Sequence, residues 1–342
     1  MQKNILLSIL IPTYNRLSFL ETTVGCFVQQ IKLGGLENSV EILIGNDYLK
    51  DKTNKYIQQI SAENNFVYGW THPKNLGLSG NIEWLAEKAQ GTYILTSGDD
   101  DLMRDGAVSY FINCIQSKKP NFILVNTSNI ISNDKSNKDF TVVLENRLNI
   151  YNDIFVENFD RDKYMLKPAK DWLYLTNLLP AVVFKKDLWQ KEMVNAKKYV
   201  RPENLWLWQG PVIIGIRKYG RLLVVGNCFV LHRKNETNWT KDPRTIVYLY
   251  TFDTIEISRL LKHYMPTEYK RHKKLYASFL MEDLIRETKK GRGLRKFTWY
   301  AFYNNFDCFP ENIQFLTMAI APKLITHISQ ALRKLKSVFS LK

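Results

Sequence analysis

The sequence predicts an α/β protein: a mostly parallel, Rossmann-like sheet with helices on both faces, followed by a helical C-terminal region. Two observations predict it. Across the first 125 residues, short apolar runs alternate with segments of helical periodicity, the pattern of strands joined by crossover helices. Those apolar runs end repeatedly in polar clusters, as strands do where an open sheet presents its carboxyl ends to a ligand.

The elements follow in order. Ile5–Ile11 is a near-continuous apolar run, suited to a strand buried on both faces. Leu17, Leu20, Val24, Phe27, Val28 and Ile31 then recur at helical spacing until Gly34-Gly35, with Asn15 or Ser18 as a cap. Val40–Ile44 and Asn65–Tyr68 read as strands. Ser79 is expected to cap a helix facing inward through Ile82, Leu85 and Ala89 and ending at Gly91. Tyr93–Thr96 is a strand, Ala107–Ile115 a helix and Asn121–Val125 a further strand. Residues 130–170 are polar and read as a long loop or weakly regular insertion. Order returns at Asp171–Phe184, followed by a helix at Pro211–Tyr219 and a strand at Leu222–Val225. Beyond Asp242 the chain reads as helices.

Composition bounds the function. The chain has 342 residues, 45% of them hydrophobic and 24% charged, which is ordinary for a globular protein. Its net charge of +15 is unevenly placed, with 17 basic against 7 acidic residues between Glu256 and Lys342. Such a tail suits an anionic surface, either membrane or nucleic acid. The four cysteines show no paired spacing, so reduced thiols and a cytoplasmic setting are expected. Neither a cleavable signal peptide nor an apolar stretch of the ~20 residues that span a bilayer is evident.

Chemistry concentrates at Tyr93-Ile94-Leu95-Thr96-Ser97-Gly98-Asp99-Asp100-Asp101, an apolar run ending in three carboxylates. Three adjacent anions repel one another unless a cation joins them. Hard divalent ions are commonly shared between one or two carboxylates and a substrate phosphate. The bland alternative is a solvated acidic turn with Asp101 capping the next helix. Two other clusters, Pro12-Thr13-Tyr14-Asn15-Arg16 and Gly45-Asn46-Asp47, end strands that would share the same rim.

Four segments in register carry a resemblance to a known family. They are Ser8-Ile9-Leu10-Ile11-Pro12-Thr13-Tyr14-Asn15-Arg16, Glu41-Ile42-Leu43-Ile44-Gly45-Asn46-Asp47, Asn75-Leu76-Gly77 with Asn81, and Gly91-Thr92-Tyr93 leading into Gly98-Asp99-Asp100-Asp101-Leu102. In these the chain resembles the family 2 glycosyltransferases of GT-A fold, and its Gly-Asp-Asp-Asp looks like the abequosyltransferase-type O-antigen branch. The resemblance divides the chain into a GT-A domain at 1–240 and a basic helical region at 241–342. Within the domain, 1–125 is the nucleotide-sugar half and 126–240 the acceptor half. It implies inverting sugar transfer from a nucleotide-sugar, assisted by Mg²⁺ or Mn²⁺. Two positions depart from the family pattern: Asn46 stands where a second acidic residue is common, and Tyr48-Leu49-Lys50 replaces Gly-Ser-Thr.

The roles implied run as follows. Asp99, Asp100 and Asp101 hold metal and donor diphosphate, with His232 as a further metal-facing candidate. Pro12, Thr13 and Tyr14 line the base and ribose, Asp47 hydrogen-bonds the nucleobase, and Asn81 belongs to the donor site. Arg16, Lys74 and Arg233 screen the diphosphate, although a lone basic residue is more often a solvated one. Glu203, in Arg201-Pro202-Glu203-Asn204-Leu205-Trp206, is the first candidate for general base and Asp171 the reserve; the competing reading of Glu203 is a carboxylate at a helix start.

Basic clusters beside aromatic and apolar residues, at Lys289–Tyr300 and Lys323–Phe339, fit a helix packed on the catalytic domain with a solvated basic face, and equally peripheral attachment to the inner face of a cytoplasmic membrane. That setting suits a saccharide acceptor carried on a polyprenyl diphosphate, in bacterial surface polysaccharide synthesis. Two other classes compete. A nucleotidyltransferase would want a Gly-rich loop after the first strand, and Pro12–Arg16 has no Gly. A basic nucleic-acid-binding protein is opposed by the acidic rim.

Overall fold

The computed structural model describes residues 4–50, 52–133, 139–169, 172–233, 253–271 and 273. Two compact units emerge, Met1–Glu236 and Thr237–Lys342. The first is built from β1 (Leu7–Thr13), α1 (Leu17–Leu33), β2 (Val40–Asn46), α2 (Thr53–Glu63), β3 (Val67–Thr71), α3 (Gly77–Lys88), β4 (Tyr93–Thr96), β5 (Leu102–Met103), α4 (Ala107–Ser117) and β6 (Phe122–Ser132). It continues with β7 (Phe140–Leu144), β8 (Ile154–Val156), α5 (Phe159–Asp162), three short 3-10 segments between Lys163 and Ala181, β9 (Val182–Lys185), α6 (Lys186–Ala196), α7 (Gln209–Tyr219) and β10 (Leu222–Arg233).

One ten-stranded sheet organises this unit in the order β3-β2-β1-β4-β9-β6-β10-β5, with β7 beside β6 and β8 beside β10. β3, β2, β1 and β4 run parallel. β9 is antiparallel to both β4 and β6, and β10 is parallel to β6. β1, β2, β3, β4, β6 and β10 therefore point one way and β5, β7, β8 and β9 the other, which makes the expected α/β architecture a mixed sheet. β1 and β2 are buried along their whole length, as their unbroken apolar runs require.

α1 explains how the acidic segment is held. Its buried stripe is Leu20, Thr23, Val24, Phe27, Gln30 and Ile31, apolar except at two positions seven residues apart. Thr23 Oγ1 lies 2.9 Å from both the Asp99 and the Asp101 carbonyl oxygens. Gln30 Nε2 donates to the Met103 carbonyl at 3.1 Å, and its Oε1 accepts from Val108 N. Two polar residues in an apolar stripe thus fix residues 99–108 against the helix.

Several expectations need correction. The α1 N-cap is Arg16, with no side-chain capping bond from Asn15 or Ser18. Ser79 lies inside α3 and its hydroxyl reaches the carbonyls of Asn204 and Leu205 instead. Asp101 caps nothing: the next helix starts at Ala107 after a left-handed Gly106. Glu203 occupies a turn, six residues before α7 begins. Of the two forms expected for residues 130–170, the structure shows the weakly regular insertion, with β7, β8 and short helical turns, and α2 adds a helix between β2 and β3. β6 and β10 run well past their apolar runs because polar side chains continue both strands.

In the second unit α8 (Thr254–Tyr264) buries Ile257, Leu260 and Leu261 along one stripe and carries Lys262 and His263 in its last turn. The basic clusters at 289–300 and 323–339 lie outside the described residues. Among the described residues no helix is long and apolar enough to cross a membrane.

Candidate functional site

The carboxyl ends of β1, β2 and β4 converge, as the alternating pattern requires. Asp99, Asp100 and Asp101 follow β4 and all three are buried. Thr13, the last residue of β1, donates its hydroxyl to Asp99 Oδ2 at 2.7 Å. Arg16 bridges the first two carboxylates, reaching Asp99 Oδ1 at 2.8 Å and bonding Asp100 Oδ2. Asp101 Oδ1 is met at 2.9 Å both by His232 Nδ1 and by the Arg233 backbone N–H. The Arg233 side chain turns the other way, bonding the Asp100 carbonyl through Nε and the Ser132 hydroxyl. Phe19, one turn into α1, lies beneath both guanidinium groups, at 5.0 Å from Arg16 and 5.6 Å from Arg233.

Among the described residues these bonds leave two oxygens uncommitted, Asp100 Oδ1 and Asp101 Oδ2. Both face the same small space above Gly98: a Cβ placed there would lie 3.0 Å from the first and 2.9 Å from the second. Any side chain at 98 would fill that cradle. Burial holds the Asp99 carboxyl up at about 7, with Arg16 opposing and its acidic neighbours adding to the rise. Asp100 is raised too, first by burial and then by Asp101. One arginine does not neutralise the row. His232 is shifted upward: burial opposes its charge, but the Asp101 carboxylate outweighs that cost.

The donor set fits a hard divalent ion. Among the described residues no three Asp, Glu, His or Cys side chains form a closed metal cage. Two carboxylate oxygens converging on one space is the arrangement expected of an ion that completes its shell with substrate phosphate. Of the four expected metal ligands, Asp100 and Asp101 present free oxygens, whereas both oxygens of Asp99 are engaged and His232 is bonded to Asp101 through Nδ1.

The second cluster is equally built. Asp47 follows β2, is buried, and accepts from the Leu76 N–H at 3.2 Å. Burial raises its carboxyl, with the Leu76 N–H and His72 opposing. Asn81 donates to the Gly45 carbonyl at 2.8 Å and meets His72 Nε2 at 3.2 Å, so α3 is pinned against the end of β2. Asn46 clamps the next turn, its amide bonding both the N–H and the carbonyl of Tyr48. That places the Tyr48 ring 5.0 Å from Tyr14, which is 48% exposed. Two aromatic rings therefore pack together where β1 and β2 end.

Pro12 is the buried penultimate residue of β1, and Lys74 is exposed two residues before Leu76. Glu203 is exposed in the turn that Ser79 ties to α3. Asp171 lies outside the described residues. Sequence reasoning missed Thr23, Phe19 and His72. A polar residue inside the apolar stripe of α1 was the one readable signal for Thr23.

Comparison with known proteins bears on the family and the fold. Residues 8–175 match the model of glycosyl transferase family 2. An uncharacterised glycosyltransferase of Mycoplasma genitalium is 29% identical over 121 residues, covering 34% of this chain and 40% of that protein. The match thus spans less than half the length of that curated relative. Among solved structures, S. aureus TarS 1–349 in complex with UDP superposes with a TM-score of 0.55 at 12% identity, over 96% of this chain and 87% of that one. The mannosyltransferase PcManGT of Pyrobaculum calidifontis, in complex with GDP-Man and Mn²⁺, gives 0.52 at 9% identity, over 94% and 88%. At such identities these two structures speak for the fold.

Proposed function

The chain is a family 2 glycosyltransferase across residues 8–175, and from that premise we propose that it moves a sugar, with inversion, from a nucleotide-sugar to a saccharide acceptor with the help of Mg²⁺ or Mn²⁺. The observation that carries the reading is the pair of uncommitted oxygens, Asp100 Oδ1 and Asp101 Oδ2, facing one space above Gly98 on the rim that also bears Asp47. Solved structures of the same fold with UDP-GlcNAc, or with GDP-Man and Mn²⁺, support it.

Each group then has work that its position suits. Asp47 accepts a ring N–H of the base, while Tyr14 and Tyr48 flank it and Pro12 and Thr13 shape the ribose side. Asn81 holds the wall behind Asp47. Arg16, Lys74 and Arg233 supply positive charge along the diphosphate. Asp100 and Asp101, with Asp99 and His232 supporting them, would hold a divalent ion, which would supply charge neutralisation for the departing nucleoside diphosphate. Glu203 accepts the proton of the acceptor hydroxyl as it attacks the face of the anomeric carbon opposite the leaving group; Asp171 is the reserve for that role.

The acceptor is a polyprenyl-diphosphate-linked saccharide of a bacterial surface polysaccharide such as O-antigen, reached from the cytoplasmic face of the membrane through the basic C-terminal region. The uneven charge supports this, with 17 basic residues against 7 acidic from Glu256 onward.

A thermal-shift screen against UDP-, GDP-, CDP- and dTDP-sugars, with and without Mn²⁺ or Mg²⁺, tests the donor reading. Stabilisation by one nucleotide class only with metal is expected. Equal stabilisation in EDTA, or none with any donor, would overturn it.

A further inference from the structure

β6 carries four consecutive polar residues, Asn126 to Asn129, all buried in mid-strand. Buried polar side chains are costly unless partnered, and one short segment, 145–148, partners all of them. Asn126 Nδ2 donates to Asn146 Oδ1 at 2.6 Å, and Asn126 Oδ1 accepts from Leu148 N at 3.1 Å. The Ser128 hydroxyl bonds the Glu145 carbonyl. Thr127 and Asn129 are spent on one residue, Arg147. Its Nε donates to Thr127 Oγ1 at 3.1 Å, its Nη2 to Asn129 Oδ1 at 2.6 Å, and its backbone N–H to the Thr127 carbonyl at 3.0 Å. The guanidinium stacks 4.6 Å from the Tyr174 ring.

A half-buried guanidinium is thus fixed by neutral groups alone; among the described residues no carboxylate pairs with it. The edge of its fork that carries Nη1 meets no partner among the described residues. Its location gives that edge a use. In the parallel β6–β10 ladder Asn129 is the register partner of His232, so the two side chains stand on the same face. His232 in turn meets Asp101. Arg16 serves Asp99 and Asp100, while Arg147 is linked through Asn129 and its register partner His232 to Asp101.

We propose that Arg147 is a phosphate-binding residue at the Asp101 end of the site, taking two phosphate oxygens on its outer fork. This rests on the glycosyltransferase reading for its role in turnover. The phosphate has two possible sources, the terminal phosphate of the departing nucleoside diphosphate and a phosphate on the acceptor. A planar fork held in place by bonds and a ring is the geometry that recognises such oxygens in pairs.

The test is calorimetric titration of the full chain with inorganic pyrophosphate in metal-free buffer. Wild-type binding, weakened about 10- to 100-fold in an Arg147→Gln protein that stays folded with a lowered Tm, is expected, since Thr127 and Asn129 lose their partner. No wild-type binding, or binding unchanged in Arg147→Gln, overturns the proposal. Should Arg147→Gln fail to fold, Arg147→Lys decides: it keeps the charge but loses the fork, so affinity at least about 3-fold lower is expected and wild-type affinity overturns the proposal. The two sources separate in further arms. Weaker binding of UDP and GDP, with UMP and GMP unaffected, assigns the departing diphosphate. Unchanged nucleotide binding with a raised KM for a phosphate-bearing acceptor only assigns the acceptor. If pyrophosphate binding depends on Arg147 while no nucleotide-sugar is turned over, the glycosyltransferase reading fails and the phosphate site stands.

Discussion

His232 Nδ1 and Asp101 Oδ1 lie 2.9 Å apart across 131 residues of sequence. The contact joins the end of β10 to the end of the acidic row and turns the second oxygen of Asp101 toward Asp100. Removing that oxygen's charge should remove the ion's second ligand. Asp101→Asn is therefore expected to abolish Mn²⁺-dependent stabilisation by the donor and to lower turnover about 100-fold or more. A donor-plus-metal thermal shift equal to wild type would argue against the assignment.

Gly45 and Asn81 are in unusually close approach. A Cβ at 45 would lie 2.0 Å from Asn81 Oδ1, so Gly45→Ala must displace the amide that links β2, α3 and His72. A loss of about 1–3 kcal/mol in denaturant unfolding is expected, as for overpacking generally. Nucleoside diphosphate affinity should fall as well, because Asn81 supports the wall beside Asp47. Asn81→Ser in the same background should restore stability in part by vacating the space.

How much of this was legible beforehand follows from where side chains find partners. The β1 and β2 runs, the α1 stripe and the three polar rims are local patterns, and Arg16, Asp47 and Asp99–Asp101 could be placed from them. The expected strand ends at Val125, whereas β6 runs on through the polar Asn126–Asn129; their burial depends on residues 145–148, which no local period reveals. β9 reads as an ordinary apolar run, and only the chain's return between β4 and β6 makes it antiparallel. Ser79 had the chemistry of a cap, yet its partners, Asn204 and Leu205, are 125 and 126 residues away.

Glu192 gives a pH prediction. Its side chain is 1% exposed and accepts from Tyr219 OH at 2.6 Å, Lys218 Nζ at 2.9 Å and Asn195 Nδ2 at 2.8 Å, locking α6 to α7. Burial pushes its carboxyl up, but those bonds outweigh it and the net shift is downward. A lowered carboxylate contributes stability that is fully present above its unfolded value, about 4.3. That stability is lost as pH falls through the lower folded value. Glu192→Gln should cost about 1–3 kcal/mol at pH 7 and flatten the acid limb of the stability profile below pH 4.5. An unchanged acid limb would show that the lock does not depend on charge.

The base is the part of the proposal most dependent on position. Glu203 is exposed, and the turn that carries it is tied to α3 through Ser79, at 2.8 Å and 3.1 Å to the next two carbonyls. The same helix starts beside Leu76, whose N–H meets Asp47, so the turn and the donor wall share one support. Glu203→Gln keeps the shape and removes the proton acceptor. Turnover should fall about 10²- to 10⁴-fold, with donor-plus-metal stabilisation retained and Tm within about 1 °C. Wild-type turnover in Glu203→Gln would move the role to Asp171, and Asp171→Asn should then show the loss. Neither variant losing turnover would leave proton removal to a group outside both candidates, and the inverting scheme would need another base.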